Sequence, residues 1–169
     1  NAAPTTISAA TEGAGGDGNG TIAFDELPGS GDSNFPLNTH YYITDDGARA
    51  FTLPSARKYN VGDWLTITYT GAMGNVLHSY TTADTNYALG SRIFVEGQDG
   101  TRINKIDTSI ANDDIIKITG TANGDGGIGT TLKFVNVTGE VNGWAADVVV
   151  KGKGAMSAAS SAATAFDQG

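Results

Sequence analysis

The chain has 169 residues, enough for one domain of ordinary size, and no cysteine, which excludes disulfides, thiolate metal sites and cysteine nucleophiles. Its net charge of −8 disfavours binding to nucleic acid or to an anionic membrane surface. With 24 glycines, 21 threonines and only 17% charged residues, the composition favours strands joined by tight turns. We therefore expect a soluble, mostly β-structured domain that binds neither nucleic acid nor membrane.

Residues 1–38 form a first segment that is rich in alanine, threonine and glycine. One short apolar alternation, around Ile22 and Phe24, interrupts it. Such a segment buries too little surface to offset the entropy lost on its own ordering. It is either a disordered tail or an arm that becomes ordered against a partner, and the alternation favours an arm docked by Ile22 and Phe24.

Residues 39–152 carry the strand patterns of the predicted core. Within residues 64–70, Leu65, Ile67 and Tyr69 alternate with a tryptophan and three threonines, which indicates a half-buried antiparallel strand. In residues 131–137, the candidates for the interior positions are Leu132, Phe134 and Val137. We count about eight or nine strands, separated by turn sequences, a spacing that predicts an antiparallel jelly roll or β-sandwich.

Residues 153–169 form a short C-terminal tail rich in alanine and serine, with Met156 and Phe166 as its large apolar side chains. A short helix is compatible with this composition, but it would need a neighbour for stability. We therefore expect the tail to pack against a partner through these two residues. No repeat of fixed period is evident along the chain.

Residue types that carry chemistry are present but are not grouped into a recognisable catalytic motif. The two histidines, His40 and His78, lack a local second ligand, which favours surface or subunit-interface positions. The acidic pairs 45–46 and 113–114 stand beside glycine or asparagine, as turn residues do, while a cation site or a catalytic carboxylate pair is the alternative. We expect neither catalysis nor a cofactor.

Two further features allow ligand binding. The segment Asn123–Gly129 is interpreted as a flexible hairpin loop, with weak calcium binding as the alternative, because it lacks the complete ligand pattern of a calcium loop. Among the aromatic residues, Trp64 and Trp144 suggest a sugar-stacking platform, although the core or a subunit interface is the commoner place for such side chains.

One stretch resembles a known family. The sequence Ala50-Phe51-Thr52-Leu53-Pro54-Ser55-Ala56, followed by a polar connector and Val61-Gly62-Asp63-Trp64-Leu65-Thr66-Ile67, is similar to β-structured virion proteins of tailed bacteriophages. Segments 100–104, 114–119, 129–134 and 143–144 fit the same style. The resemblance spans about 100 residues, from Tyr41 to Val150. It implies a sandwich or jelly roll that trimerises on the capsid as a decoration (cement) protein, or a part of a tail fibre, and it supplies no catalytic residues.

These observations lead to one functional expectation. The chain is expected to be a non-enzymatic virion protein, a homotrimer that binds major capsid protein subunits on the outer surface of a phage head and stabilises it. Its partner contacts are predicted at Ile22, Phe24, Met156 and Phe166. The alternative is a tail-fibre or receptor-binding β domain that binds carbohydrate.

Overall fold

The computed structural model describes the backbone of residues 5–7, 20–23 and 106–108, and all atoms of residues 35–44, 47–97, 113–120, 125–153 and 164–168. These residues form twelve strands and one single-turn 3-10 helix, Ala56–Lys58. The strands are β1 (Thr5–Ile7), β2 (Gly20–Ala23), β3 (Thr39–Ile43), β4 (Arg49–Leu53), β5 (Trp64–Tyr69), β6 (Leu77–Thr82), β7 (Arg92–Glu96), β8 (Ile106–Thr108), β9 (Ile115–Thr119), β10 (Thr131–Asn136), β11 (Trp144–Lys151) and β12 (Ala165–Asp167).

The strands form two sheets that pack into an all-β sandwich. The seven-stranded sheet has the order β1-β3-β5-β10-β11-β7-β8, and the five-stranded sheet has the order β12-β9-β6-β4-β2. The inner faces meet in one core of aromatic and aliphatic side chains. Across it, the rings of Tyr80 on β6 and Phe134 on β10 lie with centroids 6.0 Å apart. The predicted all-β sandwich is confirmed.

The prediction of antiparallel sheets is wrong for half of the strand pairs, because both sheets are mixed. From β1 to β6, consecutive strands alternate between the two sheets instead of pairing as hairpins. Each strand therefore returns to its own sheet parallel to its predecessor, so that β1, β3 and β5 are parallel, as are β2, β4 and β6. Strands β7 and β11 are parallel as well.

Alternation along the strands decides which side chains enter the core. Leu65, Ile67 and Tyr69 are fully buried, as are Leu132 and Phe134, as predicted. Val137 is 45% exposed, so its predicted interior position is wrong. The even-numbered residues of β10 face the core, so the interior position at the end of the strand belongs to Asn136.

Both ends of the chain contribute to the sandwich. Phe35 and Leu37 are buried in the core, which therefore begins before the predicted boundary at residue 39. At the other end β12 pairs antiparallel with β9, so the tail is extended, not helical, at Phe166. Phe24 and Met156 lie outside the described residues.

Candidate functional site: the outer face of the seven-stranded sheet

The Leu-Pro-Ser-Ala segment that carries the family resemblance is a fixed corner of the fold. The buried Asp84 carboxylate accepts hydrogen bonds from the Ser55 hydroxyl (2.7 Å) and the Ala56 N–H (2.9 Å). The Trp144 indole N–H donates to the Pro54 carbonyl (2.7 Å), which places Trp144 in the core. The Asn136 amide donates to the Ala56 carbonyl (2.9 Å). These hydrogen bonds all join parts of the same chain, and they fix the corner within the fold.

Gly143 permits this corner to close. A Cβ added at Gly143 would lie 2.6 Å from the Ala56 Cβ and 2.8 Å from the Asn136 side-chain oxygen. Contacts that short do not occur between real side chains, so a larger residue would displace the corner. The glycine before Trp144 is thus explained by close packing.

His78 is a core residue, so its predicted surface position is wrong. It is fully buried, its Nε2 lies 2.8 Å from the Gly47 carbonyl, and its Nδ1 lies 2.7 Å from the Tyr69 hydroxyl. That hydroxyl is also 2.7 Å from the Tyr80 hydroxyl, and burial raises the pKa of Tyr80 well above its ordinary value. Because a carbonyl only accepts, Nε2 carries a proton. The network satisfies buried polar groups and opens no substrate site.

Two of the acidic candidates, Asp113 and Asp125, are buried side chains. Asp113 is buried, and its carbonyl accepts the Tyr87 N–H (2.8 Å). Asp125, in the segment for which calcium binding was the alternative to a hairpin loop, is fully buried and hydrogen-bonded to the equally buried Thr164 hydroxyl. The pair Asp45-Asp46 lies outside the described residues. Among the residues that the structure describes, no three His, Cys, Asp or Glu side chains group as metal ligands would.

A broad array of side chains in register covers the solvent side of strands β3, β5, β10, β11 and β7, and we call this surface the outer face. Two rows cross all five strands. One row consists of Tyr42, Thr68, Thr131, Val149 and Phe94. The neighbouring row, here called the cation row, consists of His40, Thr66, Lys133, Asp147 and Arg92. Threonines in the middle of both rows give a low surface of hydroxyl and methyl groups.

The outer face carries three cationic and two acidic side chains, a net charge of +1 on a chain whose net charge is −8. Arg92 Nε donates to Asp147 at 3.1 Å, and Lys151 forms an ion pair with Glu96. Lys133 lies between Thr66 and Asp147 in register and forms no ion pair within the described part of the chain. It is therefore the cation of this face that is available to a partner.

Exposed apolar side chains mark one end of the outer face, which we call the apolar end. Trp64 and Val135 are register partners and are each 38% exposed. Val137 continues the same side of the chain, and the bond from the Gly62 N–H to the Asn136 carbonyl (2.8 Å) places Val61 beside it. Trp64 therefore lies at an exposed position on the sheet and not in the core.

Concavity on this face is slight. A depression of about 290 Å³ lies between β10 and β11, lined by Gly129, Thr131, Lys133, Asp147, Val149 and Lys151. On β3, two strands away from β10, the His40 and Tyr42 rings form an edge-to-face pair with centroids 5.0 Å apart, and His40 Nε2 lies 2.9 Å from the Thr68 hydroxyl. This shape suits contact with another surface better than enclosure of a small molecule.

Two of the four predicted partner-binding residues, Ile22 and Phe166, are described, and they lie on the two opposite edge strands of the five-stranded sheet. Ile22 lies on β2 at the edge of the five-stranded sheet. Phe166 on β12 is partly buried against the core, with its ring 6.1 Å from that of Tyr87, so its contact is with its own chain. Sequence reasoning did not single out Lys133 or Val135. The alternation along β10 could have identified them, because residues 133 and 135 face the side of the strand opposite to Phe134.

The chain matches no family model, no curated protein and no solved structure. The structure, where it is described, contains no helix long and apolar enough to cross a membrane.

Proposed function

We propose that this chain is a capsid decoration protein of a tailed bacteriophage, a structural virion protein that binds the outer surface of the head. The observation that carries the proposal is the outer face, with five strands in register, an apolar end and one cation available to a partner. Surfaces of this kind bind other proteins by complementary shape and charge. The resemblance of residues 50–67 to phage virion proteins is the reason for proposing a phage head as the partner.

In this proposal the apolar end contacts the major capsid protein. Trp64 is the anchor, because a partly exposed tryptophan on a sheet offers a large apolar area at small entropic cost. The jelly-roll description, the homotrimer and the arms at both ends belong to the same proposal. Under it, the segments around Phe24 and Met156 reach neighbouring subunits.

Binding to undecorated heads tests the proposal. Trp64→Ala is expected to weaken binding by about tenfold or more, the usual effect of removing an interface anchor. Leu77→Ala is the matched control, because Leu77 is 41% exposed on the opposite sheet. Equal affinity of both variants and the unchanged chain would exclude the apolar end, and failure of the unchanged chain to bind heads would refute the function.

A second function, carbohydrate binding by a tail-fibre or receptor-binding domain, is favoured by one observation. Trp64 lies one row from His40 and two rows from Tyr42, whose rings form an edge-to-face pair, and threonine hydroxyls lie between these aromatic rings. Sugar rings stack on such platforms through their apolar faces. Saturable binding to host surface polysaccharide, lost in Trp64→Ala and accompanied by no binding to heads, would establish this function instead.

A further inference from the structure

The cation row of the outer face offers a site that complements an acidic peptide. Lys133 stands at the middle strand of the row, and residues of the two flanking rows are aromatic or aliphatic at several positions, including Val149 on one side and Val135 on the other. A ligand that fits this pattern has carboxylates between apolar side chains. Opposite charges across such a contact guide association and fix its register.

The chain itself contains a segment of that chemistry. Residues 1–38 include five of the 18 acidic residues and no lysine or arginine. Within them, residues 24–34 begin Phe24-Asp25-Glu26-Leu27 and also contain Asp32, which gives this segment a charge of −3. The order is apolar, acidic, acidic, apolar.

We propose that the acidic segment 24–34 of a second copy docks on the cation row of the outer face, with Asp25 and Glu26 at Lys133. Phe24 and Leu27 then lie against the flanking apolar rows. This inference rests on the homotrimer of the proposed function and identifies the surfaces that form it.

The reach of the chain assigns the segment to another copy. Within one chain, residues 24–34 connect β2, at the edge of the five-stranded sheet, to Phe35 in the core. Strand β2 ends at Ala23, so Asp25 and Glu26 lie only two and three residues beyond it and reach at most about 11 Å. The two sheets of a sandwich pack about 10 Å apart, and the outer face lies on the far side of the seven-stranded sheet. Asp25 and Glu26 of the same copy are therefore too close to β2 to reach Lys133.

A contact between two different surfaces of identical chains is head-to-tail, and such contacts close into a ring when the rotation between copies permits. A ring of three copies satisfies the cation row and the acidic segment of every copy. The excess negative charge of residues 1–38 is then neutralised in part by the assembly.

Sedimentation of the free full-length chain at several concentrations and salt levels tests this contact. The unchanged chain is expected to associate, and more weakly at high salt. Lys133→Glu is expected to raise the dissociation constant by about tenfold or more, because it places like charges together. Lys58→Glu, the same charge change at the 3-10 helix, is the control and should leave association unchanged. Circular dichroism confirms that both variants keep the fold.

Charge reversal on both sides gives the sharper result. The triple variant Asp25→Lys, Glu26→Lys, Lys133→Glu is expected to recover association, whereas Asp25→Lys with Glu26→Lys alone should lose it. A monomeric unchanged chain, or association that Lys133→Glu does not alter, would overturn the contact. Heads are absent from this measurement, so a chain that binds heads as a monomer refutes the contact alone, and a trimer without affinity for heads refutes the function alone.

Discussion

The carboxylate of Asp84 binds residues 55 and 56, which are distant from it in the sequence. Its two oxygens accept the Ser55 hydroxyl and the Ala56 N–H, and it is 8% exposed. Removing a buried acceptor leaves its donors unsatisfied, which costs more than the bond itself contributes. The corner at residues 54–56 therefore depends on this carboxylate.

We expect Asp84→Ala to lower the free energy of unfolding by about 1–3 kcal/mol, the cost of donors left unsatisfied in the interior. Glu140→Gln is the control, because Glu140 is exposed and 3.9 Å from Arg57, so its ion pair contributes little. Urea denaturation of both variants makes the comparison. Equal stability of Asp84→Ala and the unchanged chain would show that the corner does not need its carboxylate.

Residue-scale features divide into those that local sequence predicts and those that it does not. The inward positions of Leu65 and Phe134 follow from a period of two, which needs no knowledge of the partner strand. The burial of His78 depends on Tyr69 and Gly47, which lie on other elements. No sequence pattern near His78 records those partners.

Adjacent positions on β10 face opposite sides of the sheet. Phe134 is fully buried against Tyr80 and Tyr87, whereas its neighbour Val135 is 38% exposed on the outer face. The two positions therefore test the register of the strand directly.

Phe134→Ala is expected to destabilise the chain by about 3–5 kcal/mol, the usual cost of a buried phenylalanine. Val135→Ala is expected to cost within about 0.5 kcal/mol. Denaturant midpoints measure both. A larger loss of unfolding free energy in Val135→Ala than in Phe134→Ala would show that the side of β10 assigned to the core is in fact the exposed side.

Strand β12 holds the C-terminal tail to the sandwich, in part through Asp167 and Lys117. The Lys117 hydrogen bond lowers the pKa of Asp167, with a smaller contribution from the Gln168 N–H. A lowered folded-state pKa means that Asp167 stabilises the fold fully above its ordinary pKa, and that this contribution is lost as the pH falls through the lowered value.

Amide hydrogen exchange, corrected for its intrinsic pH dependence, should therefore show β12 losing protection as the pH falls below about 4, while β10 stays protected. Asp167→Asn should weaken β12 at neutral pH and remove this pH dependence. Protection of β12 that stays constant between about pH 5 and pH 2 would contradict the assignment.

Element pairing is where sequence reasoning reached its limit. The alternation in residues 64–70 identifies a strand but not its neighbours, because β5 pairs with β3 and β10, which are distant in sequence. Parallel pairing follows from the chain crossing between sheets after each early strand, and turn sequences such as 45–47 occur equally in hairpins. The sequence therefore predicted which side chains of a single strand face solvent, but it did not predict that five such strands lie side by side in the outer face.

At the scale of the whole molecule, the proposals assign two adjoining contacts to the outer face, with Val135 at their boundary. We propose that the apolar end contacts the capsid through Trp64 and that the cation row binds the acidic segment of a neighbouring copy. The interior, including the buried His78, Asp84 and Asp125, supports both contacts by holding the sheets together.

The number of copies bound to an undecorated head, counted as the concentration of the chain is raised, tests the central claim most directly. We expect saturation at a fixed copy number that is a multiple of three, because the proposed binding unit is a trimer seated at equivalent positions. A saturating number that is not divisible by three, binding that rises without saturation, or heads that bind no chain at any concentration would contradict this expectation.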